Sequence, residues 1–291
     1  MKRIQDIATF MTDGDWIESD NQSKSGIRLI ETGNIGTGKY LNKEARAKFI
    51  SEETFENLKC TEIFPGDILV SRLPDPVGRA CILPEGLGRT ITAVDCTILR
   101  LNEDLCNRRY LVYYTQSPYY AVQVQGFLAG STRIRISRKN LEKIEIPLHD
   151  KAFQMHVIET FSSMDAAIEN RQRVLTLLDE LVKSRFVERF GGPVLNPKIR
   201  LNRNVINPEY TAMFMESAGG KCQFDAKNQV GVKAGLNFEA IKGLEIMVPP
   251  LSLQNQFSTF VHQVEATKTS VRTQLTALTT LRAKMMQEFF G

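Results

Sequence analysis

The sequence predicts an α+β protein that combines a mixed α/β domain with two long helices forming an antiparallel coiled coil. Three observations carry this prediction. The chain repeats itself at an offset of 100 residues, and the later part of each repeat has an apolar helical seam. A third is the series of short strands and turns in the front of the chain. The predicted boundaries are residues 1–150 for the mixed domain, 151–191 for the first helix, 192–250 for a second, partial domain and 251–291 for the second helix.

Composition and charge exclude several classes of protein. The 291 residues are 42% hydrophobic and 24% charged, and no apolar run approaches the roughly 20 residues that span a bilayer, so we expect a cytoplasmic protein without membrane contact. The five cysteines are never spaced CxxC, and the three histidines lie far from any G-x-S-x-G sequence. We therefore expect no disulfide framework, no metal site and no catalytic triad. The formal net charge of +4 does not by itself identify a nucleic-acid binder.

The front of the chain contains short strands and turns, followed by two helices. Turn residues such as Pro65-Gly66-Asp67 separate the apolar runs. Pro118 cannot continue a preceding helix and suits the first turn of a new one, so it separates the two helices. The predicted elements are strands at Ile27–Glu31, Asp67–Arg72, Val77–Leu83 and Thr92–Leu101, and helices at Arg108–Gln116 and Pro118–Phe127.

The stretch ETGNIGTGKY, from Glu31 to Tyr40, has the glycine and lysine spacing of a phosphate-binding loop. Such a loop also needs a serine or threonine hydroxyl for magnesium after the lysine, and here that position is Tyr40. No later apolar run ending in aspartate would supply the second magnesium ligand. The sequence therefore favours a glycine-rich hairpin, in which glycines supply the positive φ angles that a tight turn needs.

The segment GSTRIRIS, from Gly130 to Ser137, is the most distinctive basic feature. If it is extended, Arg133 and Arg135 point to one face and the two isoleucines to the other. The small residues Ser131 and Thr132 allow a backbone to approach closely, and two arginines on one face can bind phosphates or a guanine edge. A solvated face fits the same spacing equally well. Three basic residues on hairpins would extend the patch, namely Lys39, Arg72 and Arg79.

The internal repeat covers most of the chain behind the first domain. A shift of 100 residues places ISRKNLEKIEIPLHDKAFQMHVIETF, from Ile136, on LNFEAIKGLEIMVPPLSLQNQFSTFV, from Leu236. The match continues without a gap to Gly191 and Gly291, and it extends back to the sequences NRRY and NPEY. The two repeats therefore share one structural design.

Each repeat ends in a long helix with an apolar seam at spacings of four and three. Pro147 and Pro249-Pro250 precede the helices and mark their starts, because proline is excluded from a helix interior. Arg171 and Lys268 interrupt the seams. The seam residues are Phe161, Met164, Ile168, Leu175, Leu178 and Val182 in the first helix and Val261, Val264, Val271, Leu275 and Leu278 in the second. Two equivalent helices with narrow seams favour pairing with each other, and two amphipathic helices on separate domains are the alternative.

Four stretches carry a likeness to a known family: IRLIETGNI (27–35), FPGDILVSR (64–72), GSTRIRISRKNLEKIEIP (130–147) and LEIMVPPLSLQNQF (244–257). In this order, and with the duplicated helix, they resemble the DNA-specificity (S) subunit of Type I restriction-modification systems. The resemblance implies that residues 1–150 and 192–250 are target-recognition domains for double-stranded DNA and that the helices fix their separation. It also implies methyltransferase (M) and restriction motor-nuclease (R) subunits as partners, and a chain without catalytic residues or a cofactor.

The second repeat departs from the family pattern. Only about fifteen residues separate Gly191 from the NPEY sequence, where the first repeat has more than a hundred before NRRY, so the front of the second recognition domain is missing. One intact domain reads one half-site, and we therefore expect two copies of the chain to self-associate on a palindromic target.

Two alternatives stay open. One is a non-functional relic or recombination donor that binds M subunits only. The other is a stand-alone adenine methyltransferase that uses NPEY as its catalytic box. The second is disfavoured, because the equivalent stretch of the first repeat is NRRY and no glycine-rich cofactor loop follows a strand upstream.

Overall fold

The structure is a computed structural model that describes residues 1–130, 134–190, 202–217, 220–223 and 245–291, and for residues 185–190 the description covers the backbone alone. The chain divides into two compact units. The first unit consists of Met1–Asp165 together with Thr280–Gly291, and the second consists of Ala166–Thr279. This division falls inside the two long helices, whereas the predicted domain boundaries fall at their ends.

The described strands belong to the first unit and form two four-stranded sheets and one two-stranded sheet. Sheet I has the strand order β2-β9-β6-β7 and is antiparallel throughout. Sheet II has the order β4-β3-β8-β5, with β3 and β8 parallel, and β1 pairs with β10. The strands are β1 Lys2–Arg3, β2 Ala8–Asp13, β3 Ile27–Ile30, β4 Lys48–Ile50, β5 Glu62–Ile63, β6 Ile68–Ser71, β7 Ala80–Ile82, β8 Thr90–Thr92, β9 Cys96–Leu101 and β10 Glu145–Ile146.

The described helices include six short ones and two of 40 residues. They are α1 Ile4–Ile7, α2 Glu52–Leu58, α3 Arg108–Tyr114, α4 Pro118–Gly126, α5 Arg138–Leu141, α6 Lys151–Phe190, α7 Pro208–Glu216 and α8 Leu251–Phe290, with 3-10 turns at Ser19–Asn21, Thr32–Asn34 and Glu44–Arg46. Side-chain caps start α3 and α4: Asn107 accepts the Arg109 N–H, and Ser117 accepts the Tyr120 N–H. Both helices begin at their predicted residues.

The prediction of one strand over Thr92–Leu101 is wrong, because this stretch contributes to both sheets. Strand β8 ends at Thr92, whose hydroxyl donates to the Ile30 carbonyl of sheet II at 2.9 Å. A turn closed by the Cys96 N–H and the Ala93 carbonyl, 2.9 Å apart, then leads into β9 of sheet I. The alternation of apolar and polar residues runs through this turn, so it does not reveal the break.

Sheet I is covered on both faces, which explains its continuous apolar strands. On one face, Leu69 and Ile98 pack with Ile30 of sheet II. On the other face, Ile68 and Leu99 pack in a cluster that includes residues from α3, α4 and the two long helices. The first unit therefore has three layers: sheet II, sheet I and a helical layer.

The long helices pair antiparallel in each unit. In the first unit, Asp165 of α6 accepts from Arg282 of α8 at 2.6 Å. In the second unit, Arg171 donates to Gln274 at 3.2 Å and Lys268 pairs with Asp179 at 2.7 Å, so residue numbers rise along α6 as they fall along α8. At 1.5 Å per residue each helix is about 60 Å long. The helices contact each other within one chain, and the alternative of two separate amphipathic helices does not agree with this pairing.

Side-chain exposure along the long helices follows the spacing of four and three. Each of the eleven seam residues named above is buried or half-buried, whereas neighbours such as Val174, Leu177 and Leu181 are exposed. The two interrupting residues also face inward. Arg171 is half-buried, and Lys268 is buried with its ammonium between Asp179 and Glu265. The hydrogen bonds that Lys268 donates to Asp179 and Glu265 raise its pKa, which keeps it charged inside the seam.

The cysteines give a prediction about thiol reactivity. Burial raises the pKa of Cys60 to about 11 and that of Cys81, Cys96 and Cys106 to about 12, whereas Cys222 is exposed. Because the thiolate is the reactive form, iodoacetamide at neutral pH should label Cys222 alone in the folded chain, and all five cysteines after denaturation. Mass spectrometry of the alkylated peptides measures this, and rapid labelling of Cys81 or Cys96 in the native chain would contradict the described core.

Candidate nucleic-acid interface

Strands of both sheets end on the same side of the first unit. The pairs Asp13–Thr97 and Ser71–Cys96 close one end of sheet I, and the parallel pair Ile30–Thr92 closes the adjacent end of sheet II. Four connecting segments gather there, and we call them together the loop edge: residues 31–40, 72–79, 93–95 and 134–138. All four basic residues of the predicted patch that the structure describes lie in these segments: Lys39, Arg72, Arg79 and Arg135.

Residues 35–40 form a hairpin, in agreement with the sequence analysis. The Gly36 N–H donates to the Lys39 carbonyl at 2.9 Å, and the Gly38 N–H donates to the Ala80 carbonyl at 2.9 Å. Gly38 has a φ of +78°, a backbone conformation that is strained for a residue with a side chain. These amides are engaged within the protein and do not form a phosphate cradle. The side chains of Thr37 and Lys39 are exposed at the hairpin tip.

Arg79 differs from the expectation that it extends a phosphate-binding patch. The residue is only 9% exposed, and it follows a turn at Val77–Gly78 instead of lying in the predicted strand. The guanidinium donates to four backbone carbonyls, those of Thr32, Ile35, Leu73 and Pro76. Four of its five N–H donors are therefore used inside the protein, which argues against a direct phosphate contact.

Arg72 is also largely internal, with 11% of its side chain exposed. Its Nη2 donates to the Val94 carbonyl at 2.7 Å, and its Nε lies 3.6 Å from one oxygen of Asp13. The other Asp13 oxygen lies 3.6 Å from the Nε of Arg138, and Thr97 donates its hydroxyl to the carboxylate at 2.9 Å. Asp13 and Arg138 are site residues that the sequence analysis missed, because their pairing joins positions more than a hundred residues apart.

The GSTRIRIS segment agrees with the predicted extended strand only in part. Ser131, Thr132 and Arg133 lie outside the described residues. Arg135 is exposed and exchanges two backbone hydrogen bonds with Ala129, which closes an isolated bridge. Ile136 is buried and donates its N–H to the Arg72 carbonyl at 3.2 Å, but Ile134 is 47% exposed. The sequence predicts the two isoleucines on one face, whereas in the structure only Ile136 packs in the core and Ile134 is exposed.

The NPEY sequence is a helix start in the second unit. Asn207 caps α7 by accepting the N–H groups of Glu209 and Tyr210, and the buried Tyr210 donates its hydroxyl to the Met247 carbonyl at 3.0 Å. Its counterpart Tyr110 in the first unit donates to the Pro147 carbonyl at 2.7 Å. The same contact in NRRY and NPEY assigns both stretches a structural role in packing the repeat.

The described residues contain no His, Cys, Asp or Glu cluster with the arrangement of a metal site. Among the helices of the described part of the chain, none has the length and apolar character required to cross a bilayer. The loop edge offers a different chemistry, since its exposed side chains include the cations Lys39 and Arg135 and the polar Thr37. Such groups suit contacts with phosphates and base edges.

Comparison with known proteins gives one matching family and several solved structures with a similar fold. The family model described as Type I restriction modification DNA specificity domain matches residues 1–178. The fold is similar to the crystal structure of a Type I restriction-modification S subunit from M. genitalium, with a TM-score of 0.57 and 11% identity over 100% of this chain and 95% of that chain. A structure from a study of complex assembly and conformational transition of the type I R-M system has a TM-score of 0.61 and 11% identity, over 99% and 96% of the two chains. A search of curated proteins gave no match.

The family match extends over more than half of the chain and contains every residue of the loop edge. The match ends within α6, and α8 lies wholly beyond it. The antiparallel pairing of these helices agrees with the coiled-coil helices of solved S subunits. The chain therefore belongs to the family of Type I restriction-modification DNA specificity subunits, which recognise DNA and have no catalytic activity of their own.

Proposed function

We propose that this chain is the sequence-specific DNA-binding subunit of a Type I restriction-modification complex, and that it directs adenine methylation and restriction to one target. The observation that carries the proposal is the family match over residues 1–178, since this range contains the loop edge with its exposed cations. Residues 1–150 read one half-site in this proposal. M and R subunits perform the chemistry, and the antiparallel helices act as the spacer and as a docking post for M subunits.

Direct DNA contacts are assigned to the exposed residues of the loop edge. Lys39 and Arg135 are exposed, and the structure describes no ion pair that would neutralise either of them. Ser131, Thr132 and Arg133 are proposed to contact DNA as well, on the grounds of their sequence alone. Arg72 and Arg79 are mostly buried and serve in this proposal to position the loops.

The second recognition domain is proposed to be truncated between residues 192 and 250, because the repeat there is short. Two copies of the chain would then supply two identical half-site readers related by a two-fold axis. A palindromic target with a central spacer follows from this symmetry.

The adenine methylome of a host that expresses the chain with its M subunit tests the proposed function. A host with a catalytically inactive M subunit is the control. A split palindromic motif would support the proposal as stated, whereas an asymmetric split motif would retain DNA reading but require that the second domain reads its own half-site. The absence of any motif, with the chain soluble and bound to its M subunit, would refute the proposal and favour a relic.

Single substitutions at the loop edge should weaken DNA binding through phosphate contacts. We expect Lys39→Ala and Arg135→Ala each to lower the slope of log K against log salt concentration by about 1, at unchanged thermal stability. Lys24→Ala is the matched control, because Lys24 is exposed and precedes β3 at the end opposite to the loop edge. Fluorescence anisotropy with a labelled duplex at several salt concentrations measures the slope. If both variants keep the wild-type slope, the assignment of these two residues is wrong.

A further inference from the structure

Arg79 connects two separate loops of the first unit through backbone carbonyls. Its Nε donates to the Ile35 carbonyl at 2.6 Å and its Nη2 to the Thr32 carbonyl at 2.8 Å, both in the first half of the segment 31–40 that contains the glycine hairpin. Its Nη1 donates to Leu73 at 2.8 Å and to Pro76 at 2.9 Å, both in the loop between β6 and β7. The guanidinium thus lies beneath two loops that are more than thirty residues apart in the chain.

Only an arginine can make this set of contacts. The guanidinium is planar and carries five N–H donors in a fixed fork, whereas a lysine ammonium has three donors at a single point. Four carbonyl oxygens that converge on one site repel each other unless donors lie between them. The contact is therefore specific to Arg79, and its loss would release both loops from each other.

Further hydrogen bonds fix the two loops close to the strands of sheet I, whereas the side chains at the loop tips are exposed. The Gly78 N–H donates to the Ser71 carbonyl at 2.8 Å, and the Tyr120 hydroxyl donates to the Gly78 carbonyl at 2.8 Å. The hairpin is attached through the Gly38 N–H and the Ala80 carbonyl. Thr37 and Lys39 on one tip and residues 74–76 on the other are exposed.

We propose that Arg79 is a positioning residue for sequence recognition, and that the two tips it holds together, residues 37–39 and 74–76, form one base-reading surface. The proposal rests on the proposed DNA-binding function. The chemistry of the tips supports base reading, because Asp75 carries an exposed carboxylate that phosphates repel but that accepts from the exocyclic amino group of cytosine. Thr37 and Lys39 supply donors for guanine O6 and N7.

Arg79→Lys in the full chain tests this role, because it keeps the charge and removes the fork. The probes are a duplex with the motif found by methylome sequencing and a scrambled duplex of equal length. We expect the ratio of the two affinities to fall by about tenfold or more, with affinity for the scrambled duplex and its salt slope unchanged. If Arg79 instead contacted a DNA phosphate directly, the variant would lose affinity for both duplexes. Hydrogen exchange should become faster at residues 32–40 and 73–78 and stay unchanged in β6 and β9.

Arg100→Lys is the matched control for a purely structural arginine. Arg100 forms two hydrogen bonds with Asp67 and lies toward the end of β9 away from the loop edge, so its loss should lower stability and leave the affinity ratio unchanged. If Arg79→Lys folds and keeps the wild-type ratio, the proposal is overturned. If Arg79→Lys does not fold, the double variant Thr37→Ala/Asp75→Ala tests the base-reading surface instead, because both side chains are exposed. A reduced ratio of the two affinities supports the base-reading surface, and an unchanged ratio overturns it. A wild-type chain that does not prefer its motif would refute the proposed function itself.

Discussion

Replacing Phe290 with alanine should destabilise the first unit by about 3–5 kcal/mol, the range for deleting a buried phenylalanine from a packed core. Phe290 stands near the end of α8 and is 4% exposed. Its ring centroid lies 5.4 Å from that of Tyr110 and 5.6 Å from that of Tyr114, and it stacks on Phe161 at 6.3 Å. The ring therefore joins α8 to α3 and α6, and alanine would leave a cavity between three helices.

Leu281→Ala is the control for this substitution, because Leu281 is on the same helix and 47% exposed. It should change stability by less than about 1 kcal/mol. Hydrogen exchange of the β6 and β9 amides reports the opening of the first unit without assuming that the whole chain unfolds in one step. Equal protection factors in Phe290→Ala and the wild-type chain would show that the aromatic contacts do not anchor the end of α8.

The long helices could be predicted from sequence because their signals are local. A spacing of four and three over many turns needs one partner of the same kind, and the prolines before each helix mark its start. The observed helices, Lys151–Phe190 and Leu251–Phe290, begin within four residues of those prolines. The break between β8 and β9 could not be predicted, because it depends on the pairing of Thr92 with Ile30, far away in the chain.

The same distinction between local signals and long-range pairing applies to the candidate site. The glycine hairpin and its exposed Lys39 follow from residues within ten positions of each other, so the sequence alone predicts them. The role of Arg79 depends on the carbonyl of Ile35, 44 residues earlier, and that of Arg72 depends on Asp13. A basic residue in a loop has the same appearance in sequence whether it faces DNA or holds the loop, and only the position of its acceptors decides between the two.

Replacing Gln154 or Gln254 with alanine should lower the stability of the unit that contains it by about 3 kcal/mol, because each change leaves three partly buried backbone groups without a partner. The Oε1 of Gln154 accepts the Asn107 N–H at 2.8 Å, and its Nε2 donates to the carbonyls of Leu105 and His149. Gln254 makes the equivalent set of contacts, to the Asn207 N–H and to the carbonyls of Val205 and Pro249. Both side chains are fully or almost fully buried.

The controls are Gln172→Ala and Gln263→Ala, which remove exposed glutamines from the same two helices and should leave the stability nearly unchanged.

Glutamate at position 154 or 254 distinguishes the accepting role of the glutamine amide from its donating role. Its carboxylate still accepts the backbone N–H of the asparagine but cannot donate to the carbonyls. Exchange at the Asn107 and Asn207 amides should accelerate strongly in the alanine variants and less in the glutamate variants. Alanine variants as stable as their controls would mean that these glutamines do not hold the repeat together. The expected losses would instead explain why glutamine occupies the same position in both repeats, since no other uncharged side chain of this length both donates and accepts.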